Sequence, residues 1–289
     1  MFSIIGLAVV VAAILGGYLL EHGNIKVLLQ PAELIIIGGA AFGTLLIANP
    51  LSLILRIGQG ILAAFRPAKY NKERYLMTLR MLNDLFKRGR RGGLSSLEPD
   101  VEEPHTSEIF KNYPEISREH HVIDFICDTL RTAMSGTVSH FDLDQMVELD
   151  LEVHHHQMTQ PVTALTTVAD ALPGLGIVAA VLGVVITMSS LGGPPAEVGK
   201  KVAAALVGTF LGILLCYGFL SPLAANMTRA NDAELEYFHC LRTGLIAFCR
   251  GAAPILAVEF SRRSIPAAVR PSFKEMEESF RQKTEAIAA

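Results

Sequence analysis

Four stretches of this sequence run for roughly the thickness of a bilayer without a charged side chain, and they narrow the fold more than any other feature. Residues 2–20 form the first. As a helix at about 1.5 Å per residue that stretch reaches about 28 Å, close to the hydrocarbon thickness. Residues 34–55 form the second, entered through Pro31 and Glu33. Residues 171–196 form the third, with the helix expected to end near Leu191, before Gly192-Gly193-Pro194-Pro195. Residues 202–228 form the fourth. The first stretch reads as a span rather than a signal peptide, because it has no basic leader and no A-x-A site, and a second span follows within a dozen residues.

Composition agrees with a membrane protein that has a sizeable soluble part. Hydrophobic residues make up 51% of the 289 residues and charged residues 18%, with a mean hydropathy of +0.39. A net charge of −3 gives no basic excess for nucleic acid. All 25 basic residues except Lys26, Lys200 and Lys201 lie in 56–170 or after residue 225. The positive-inside rule therefore places those two segments, and both termini, in the cytoplasm. Four segments follow: two spans in 1–55, a cytoplasmic segment in 56–170, two spans in 171–228, and a cytoplasmic tail in 229–289.

The fold class expected is all-α, a four-span membrane protein with a large cytoplasmic helical domain. The stretch Tyr75–Phe86 repeats apolar residues at three and four, and no alternating strand pattern persists. Gly89, Gly92 and Gly93 interrupt this segment, and Pro99, Pro104 and Pro114 punctuate the next. The fourth run passes into Arg229–Glu236 without a glycine break, so one long helix is expected there.

The chemistry of enzymes is not visible. No GxxxxGK[ST] is present, and no GxGxxG stands between a strand and a helix. Cys127, Cys216, Cys240 and Cys249 have no CxxC spacing, which speaks against a zinc ribbon or a disulfide scaffold. His154-His155-His156 point to different helix faces and read as a solvated surface, as does His120-His121. Neither a catalytic residue, a metal ligand nor a cofactor-binding residue is assigned.

The spans carry no ionisable side chain in their interiors, with Glu33 and Asp170 read as standing at the edges. An ion-coupled protein normally keeps such a group in the membrane, so a partner would have to supply it. Spans three and four carry small residues at spacings of three and four: Gly176, Ala180, Gly183 and Thr187, then Ala205, Gly208, Thr209 and Gly212. Such faces either pack the two spans together or receive a partner helix. Pro173 reads as lying in the first turn of span three, where proline is tolerated. Pro222 lies inside the fourth run, where it removes a backbone bond and predicts a kink.

Several stretches together resemble the A subunit of the bacterial flagellar stator, the MotA/PomA family. They are Gln30–Leu34 before span two, Leu172–Val185 in span three, Val207–Leu215 and Gly218–Leu223 in span four, and Ala257–Phe260 with Arg270–Phe273 in the tail. The resemblance implies a homopentamer around two copies of a MotB-type subunit, whose single membrane helix carries the ion-binding aspartate. Ion flow would turn the pentamer against the rotor protein FliG. It also implies a place in the lipid of the bacterial inner membrane, and a partner that supplies the anchor to the cell wall.

The resemblance assigns roles to particular positions. Arg90 and Glu98 match charged residues that face the rotor, with Arg88, Lys87 and Arg91 beside the first and Asp100, Glu102 and Glu103 after the second. A basic patch followed by an acidic one suits electrostatic docking. Pro173 and Pro222 match prolines that couple ion passage to cytoplasmic movement, and Ala180 and Thr209 match positions on the ion path. Sodium-driven relatives tend to have threonine where this chain has Ala180, so protons are the expected ion. Asp150 keeps the charge of a family glutamate on a shorter side chain, which weakens any rotor role for it.

Three other outputs stay open on sequence. An ExbB/TolQ-like energy transducer shares the architecture but usually has three spans. A secondary transporter conflicts with the missing intramembrane charge. A scaffold without ion flux conflicts mildly with the small-residue faces.

Overall fold

The computed structural model describes residues 2–189, 192 and 194–288. Among the described residues all regular structure is helical: α1 (Phe2–Leu20), α2 (Ile25–Leu28), α3 (Pro31–Ala48), α4 (Leu51–Ala63), α5 (Lys72–Gly92), α6 (Glu98–Glu102), α7 (Glu108–Lys111), α8 (Pro114–Ser117), α9 (His120–Met134), α10 (His140–Met188), α11 (Pro195–Ile213), α12 (Ser221–Cys249), α13 (Pro254–Ser264) and α14 (Phe273–Ala288). A 3-10 turn covers Leu94–Leu97, and a π turn, Leu214–Leu220, joins α11 to α12 without a break. Four of these helical stretches are long and apolar enough to cross a membrane: α1, α2–α3, α10 and the run from α11 through α12. The chain is a four-span, all-helical membrane protein.

Two compact units form, one from Met1–Pro67 with Gln157–Ala230, the other from Ala68–His156 with Asn231–Ala289. These units divide at residues 67, 156 and 230, and the segments read from charge-free length divide at 55, 170 and 228. Charge-free runs mark where side chains change solvent, whereas two of these divisions fall inside the continuous helices α10 and α12.

The membrane unit shows this at each span. The second run, 34–55, is not one helix. Asn49 is extended at φ −135°, ψ 144°, and α3 stops at Ala48. Pro50 enforces that conformation on the residue before it and cannot donate into the ladder. α4 then starts afresh, burying Ile57 and exposing Leu51, Leu55 and Leu62. The third span is the second half of the 49-residue α10, which runs to Met188; Leu191 lies outside the described residues. Ser139 starts α10, its Oγ accepting from the Asp142 amide at 3.1 Å. Pro173 accordingly stands in a helix interior, as does Pro161, not in a first turn. It leaves the Ala169 carbonyl without its usual donor, which membrane helices accept when neighbours and local adjustment compensate. Ile37, Ala41, Ala169, Leu172, Ala179 and Cys216 form one buried cluster of this unit. Ile57, Val162, Leu165, Ala224 and Met227 form another.

The expected continuation of span four is present, and the disturbance around Pro222 takes a specific form. The Ser221 amide donates to the Cys216 carbonyl, five residues back, at the end of the π turn. Pro222 has no N–H and crowds the Gly218 carbonyl, so the ladder upstream widens by one residue. At the start of α1, Ser3 Oγ donates to the Ala64 carbonyl at 3.1 Å and accepts from Asn226 Nδ2 at 2.8 Å. These bonds fix α1 to the end of α4 and to α12.

The second unit is a helical domain with a conventional core. α5 presents Tyr75, Leu79, Leu82, Leu85 and Phe86 inward, at the three-and-four spacing seen in the sequence, against Tyr237, Leu241, Leu245 and Phe248 of α12. Phe86 and Phe248 stack at 4.4 Å between centroids. Gly89 does not interrupt α5. A Cβ there would lie 2.9 Å from the Leu97 Cδ1 and from the Phe248 Cζ, so glycine serves close packing. Gly93, at φ +77°, is the residue that ends the helix.

Candidate functional site

The small-residue faces of spans three and four meet each other. A Cβ placed on Gly212 would lie 2.6 Å from the Leu172 carbonyl oxygen, and one on Gly176 would lie 2.9 Å from that of Gly208. A Cβ on Gly183 would meet the Ala205 Cβ at 2.7 Å. Backbone therefore contacts backbone along this seam, which only glycine and alanine permit. Of the two uses expected for these faces, packing of span three on span four accounts for Gly176, Gly183, Ala205, Gly208 and Gly212. Thr187 does not bond across the gap, since its Oγ1 donates to the Gly183 carbonyl of its own helix at 2.8 Å. Ala180 and Thr209, the expected ion-path positions, border the seam and are both partly exposed. Pro173 lies in the same helix at the level of Gly176, and Pro222 is exposed beyond the π turn.

Glu33 is more enclosed than its place in the sequence implies. It was read as an edge residue, and its position in the first turn of α3 suits a carboxylate favoured by the helix dipole. In the structure only 7% of it is exposed. Its Oε2 is buried without a hydrogen-bond partner, and a Cβ on Gly208 would lie 2.7 Å from that atom. Its Oε1 lies 3.6 Å from the corresponding point on Gly183. Glu33 thus stands in the first turn of α3, at the edge of the span, yet its carboxyl is buried against α10 and α11. No local pattern in the sequence shows that α3 packs against α11 so as to cover this side chain.

The expected rotor-facing patch separates into exposed and engaged residues. Arg90 and Glu98 are exposed, as are Lys87, Arg91 and Glu103. Arg88 is tied down, its Nη1 3.2 Å from Asp100 Oδ2. Asp100 is 1% exposed and also accepts from Ser107 Oγ at 2.6 Å. Asp100 thus leaves the surface acidic patch and becomes the group that holds α6 to α5. Glu102 pairs with Arg131 at 2.8 Å. The free charges are a basic cluster at the end of α5 and the separate carboxylates of Glu98 and Glu103.

Other features singled out in the sequence turn out to be internal. His154 is not solvated: it lies 3.2 Å from Glu234, with both side chains about a fifth exposed. Burial pulls the Glu234 carboxyl up, but the His154 hydrogen bond and the charges of Lys69, His154 and His121 outweigh it and hold it below the usual range. The four cysteines are buried and unpaired, and burial pushes the Cys127 thiol up to about 12. The tail motifs are clamps. Glu259 takes both Arg262, at 2.7 Å, and Arg263, at 2.7 Å; Arg262 also donates to the Pro271 carbonyl at 3.0 Å. These arginines hold the Glu259 carboxyl down at about 2. Ser272 and Glu275 exchange backbone-to-side-chain bonds of 2.7 and 3.2 Å, a capping box that starts α14.

Comparison with known proteins places this arrangement. Residues 4–93 match the model for the motility protein A N-terminal region, and residues 118–239 match the MotA/TolQ/ExbB proton channel family. Motility protein A of Salmonella typhimurium is 41% identical over 281 residues, covering 97% of this chain and 95% of that protein. Among solved structures, C. jejuni MotAB superposes with a TM-score of 0.76 at 16% identity, over 94% of this chain and 98% of that one. The flagellar MotAB stator complex from Bacillus subtilis superposes with a TM-score of 0.74 at 23% identity, over 92% and 96%.

Proposed function

The chain belongs to the motility protein A family of flagellar stator subunits, and on that premise we propose how it works. It is a membrane channel subunit, not an enzyme. Five copies surround two MotB-type subunits in the inner membrane, with both termini in the cytoplasm. The coupling ion is the proton. Its flux turns the pentamer, and the exposed charges of Arg90 and Glu98 push on FliG. Arg88 contributes by holding α6 in place through Asp100, and to a lesser degree through its own exposed part.

The observation that carries this reading is the glycine seam. With Gly176, Gly208 and Gly212 in backbone contact, spans three and four move as a pair. Each span is continuous with a helix of the second unit, span three through α10 and span four through α12. A shift of the pair at the level of Ala180 and Thr209 therefore reaches cytoplasmic residues along unbroken helices. Pro161, Pro173 and the π turn before Pro222 interrupt the regular backbone bonding of those helices and are where they can bend. One proton crossing 100 mV releases about 2.3 kcal/mol, so sustained work requires many small steps. Exposed ion pairs, worth about 0–1 kcal/mol each, suit contacts that form and release at each step.

Ion identity is tested with the complete complex in proteoliposomes. Imposing a pH gradient is expected to drive proton flux that is independent of sodium. Flux that requires sodium and ignores the pH gradient would contradict the proton assignment.

A further inference from the structure

Glu33 has no role in the scheme above, which takes its ion-binding carboxylate from the partner. We propose that the Glu33 carboxyl is a proton-exchange site of this chain's own, set in the outer half of the seam between α3, α10 and α11, which passes protons toward Ala180 and Thr209.

Four observations support the site. First, the side chain is more than nine-tenths buried and one oxygen has no partner. A buried polar atom left unbonded is rare and costly, and a packing role alone would be served better by an apolar residue. Second, the carboxyl is aimed into the seam: glycine at 183 and 208 leaves the space it fills. Third, it adjoins the expected path. The Cβ position on Gly208 that lies 2.7 Å from Glu33 Oε2 is also 3.2 Å from the Ala180 amide nitrogen, and Thr209 is the next residue. Fourth, the site lies inside the span. Gly183 is five residues from the end of α10, about 8 Å of helix.

The groups facing Glu33 are few. α10 brings Gly183, Ala179 and the backbone of Ala180, and α11 brings Ala205 and Gly208. The nearest charges on α11 are Lys200 and Lys201, the latter two turns outward of Gly208, about 10 Å along the helix. No basic side chain among the described residues bonds Oε2. The exchange balances simply. A hydronium reaching the seam from the outer side gives its proton to the carboxylate and leaves as water. The O–H bond then breaks toward the next water inward, which carries the proton on to the partner's carboxylate. The site rests on the reading of the chain as a channel subunit.

The test uses the whole complex with its B subunit, assembly being checked by co-purification. Proton flux is measured across a range of external pH for wild type, Glu33→Gln and Glu33→Asp. Glu33→Gln keeps the shape and removes the exchangeable proton, and it is expected to cut flux by at least about tenfold. Glu33→Asp is expected to keep most of the flux with a displaced pH profile. In parallel, pH-difference infrared spectra should show a titrating carboxyl band that Glu33→Gln removes. Wild-type flux and an unchanged pH profile in Glu33→Gln would overturn the proposal. If the wild-type complex passes no protons, the infrared band decides. Its presence would sustain Glu33 as an exchange site while the channel reading fails, and its absence would remove both.

Discussion

Arg88 and Arg90 stand two residues apart on α5 and do different work. Arg88 reaches the buried Asp100 at 3.2 Å, whereas Arg90 is exposed. Removing Arg88 leaves a buried carboxylate with only Ser107 as partner, so Arg88→Ala is expected to destabilise the protein by about 1–3 kcal/mol. Arg90→Ala should change stability by no more than about 0.5 kcal/mol. Torque should respond the other way: Arg90→Glu should weaken rotation in tethered cells and be partly rescued by charge reversal on the rotor. Unchanged swimming would remove Arg90 from the rotor surface. Both arginines look alike in the sequence, where four basic residues fall within Lys87–Arg91 and an acidic run follows. What separates them is the position of α6, fixed by contacts from residues such as Ser107 and Leu97 that no local pattern announces. The burial of Glu33 is not legible in the sequence for the same reason, because it depends on α3 packing against α11.

At the scale of elements, helix type and span number were legible because charge-free length and three-and-four spacing are local properties. Helix ends were not. The apolar run 34–55 concealed the break at Asn49-Pro50. The polar stretch before residue 171 concealed that α10 had begun at His140. Polar and apolar halves of one helix differ in their solvent, not in their backbone. The glycine spacing of spans three and four is visible in the sequence, and the close approach at Gly176 and Gly212 shows that these glycines pack the two spans together. They also make a sharp comparison. Gly212→Ala drives a Cβ to 2.6 Å from the Leu172 carbonyl oxygen. It should cost about 1–3 kcal/mol through overpacking. Gly174, two residues from Gly176, is exposed and has open space around its Cβ position. Gly174→Ala should leave stability unchanged or slightly raised. Thermal unfolding in detergent and recovery of the assembled complex measure both. Equal losses would mean that the seam is not the tight contact described.

For the whole molecule, the division into a membrane unit and a helical domain follows from where apolar length is spent. Long uncharged stretches can be buried only in lipid or against each other, while α5, α9 and α12 have one apolar face and build a core of their own. α10 and α12 each contribute residues to both units. The tail completes the domain through Lys72 and Glu275, 2.5 Å apart, and through the Glu259 clamp. As proposed, this chain converts ion flow into flagellar rotation. Deleting its gene in the host and recording tethered-cell rotation tests it most directly. The account predicts filaments of normal number that do not turn, with rotation restored by the gene in trans. Filaments that turn normally in the deletion strain would contradict it.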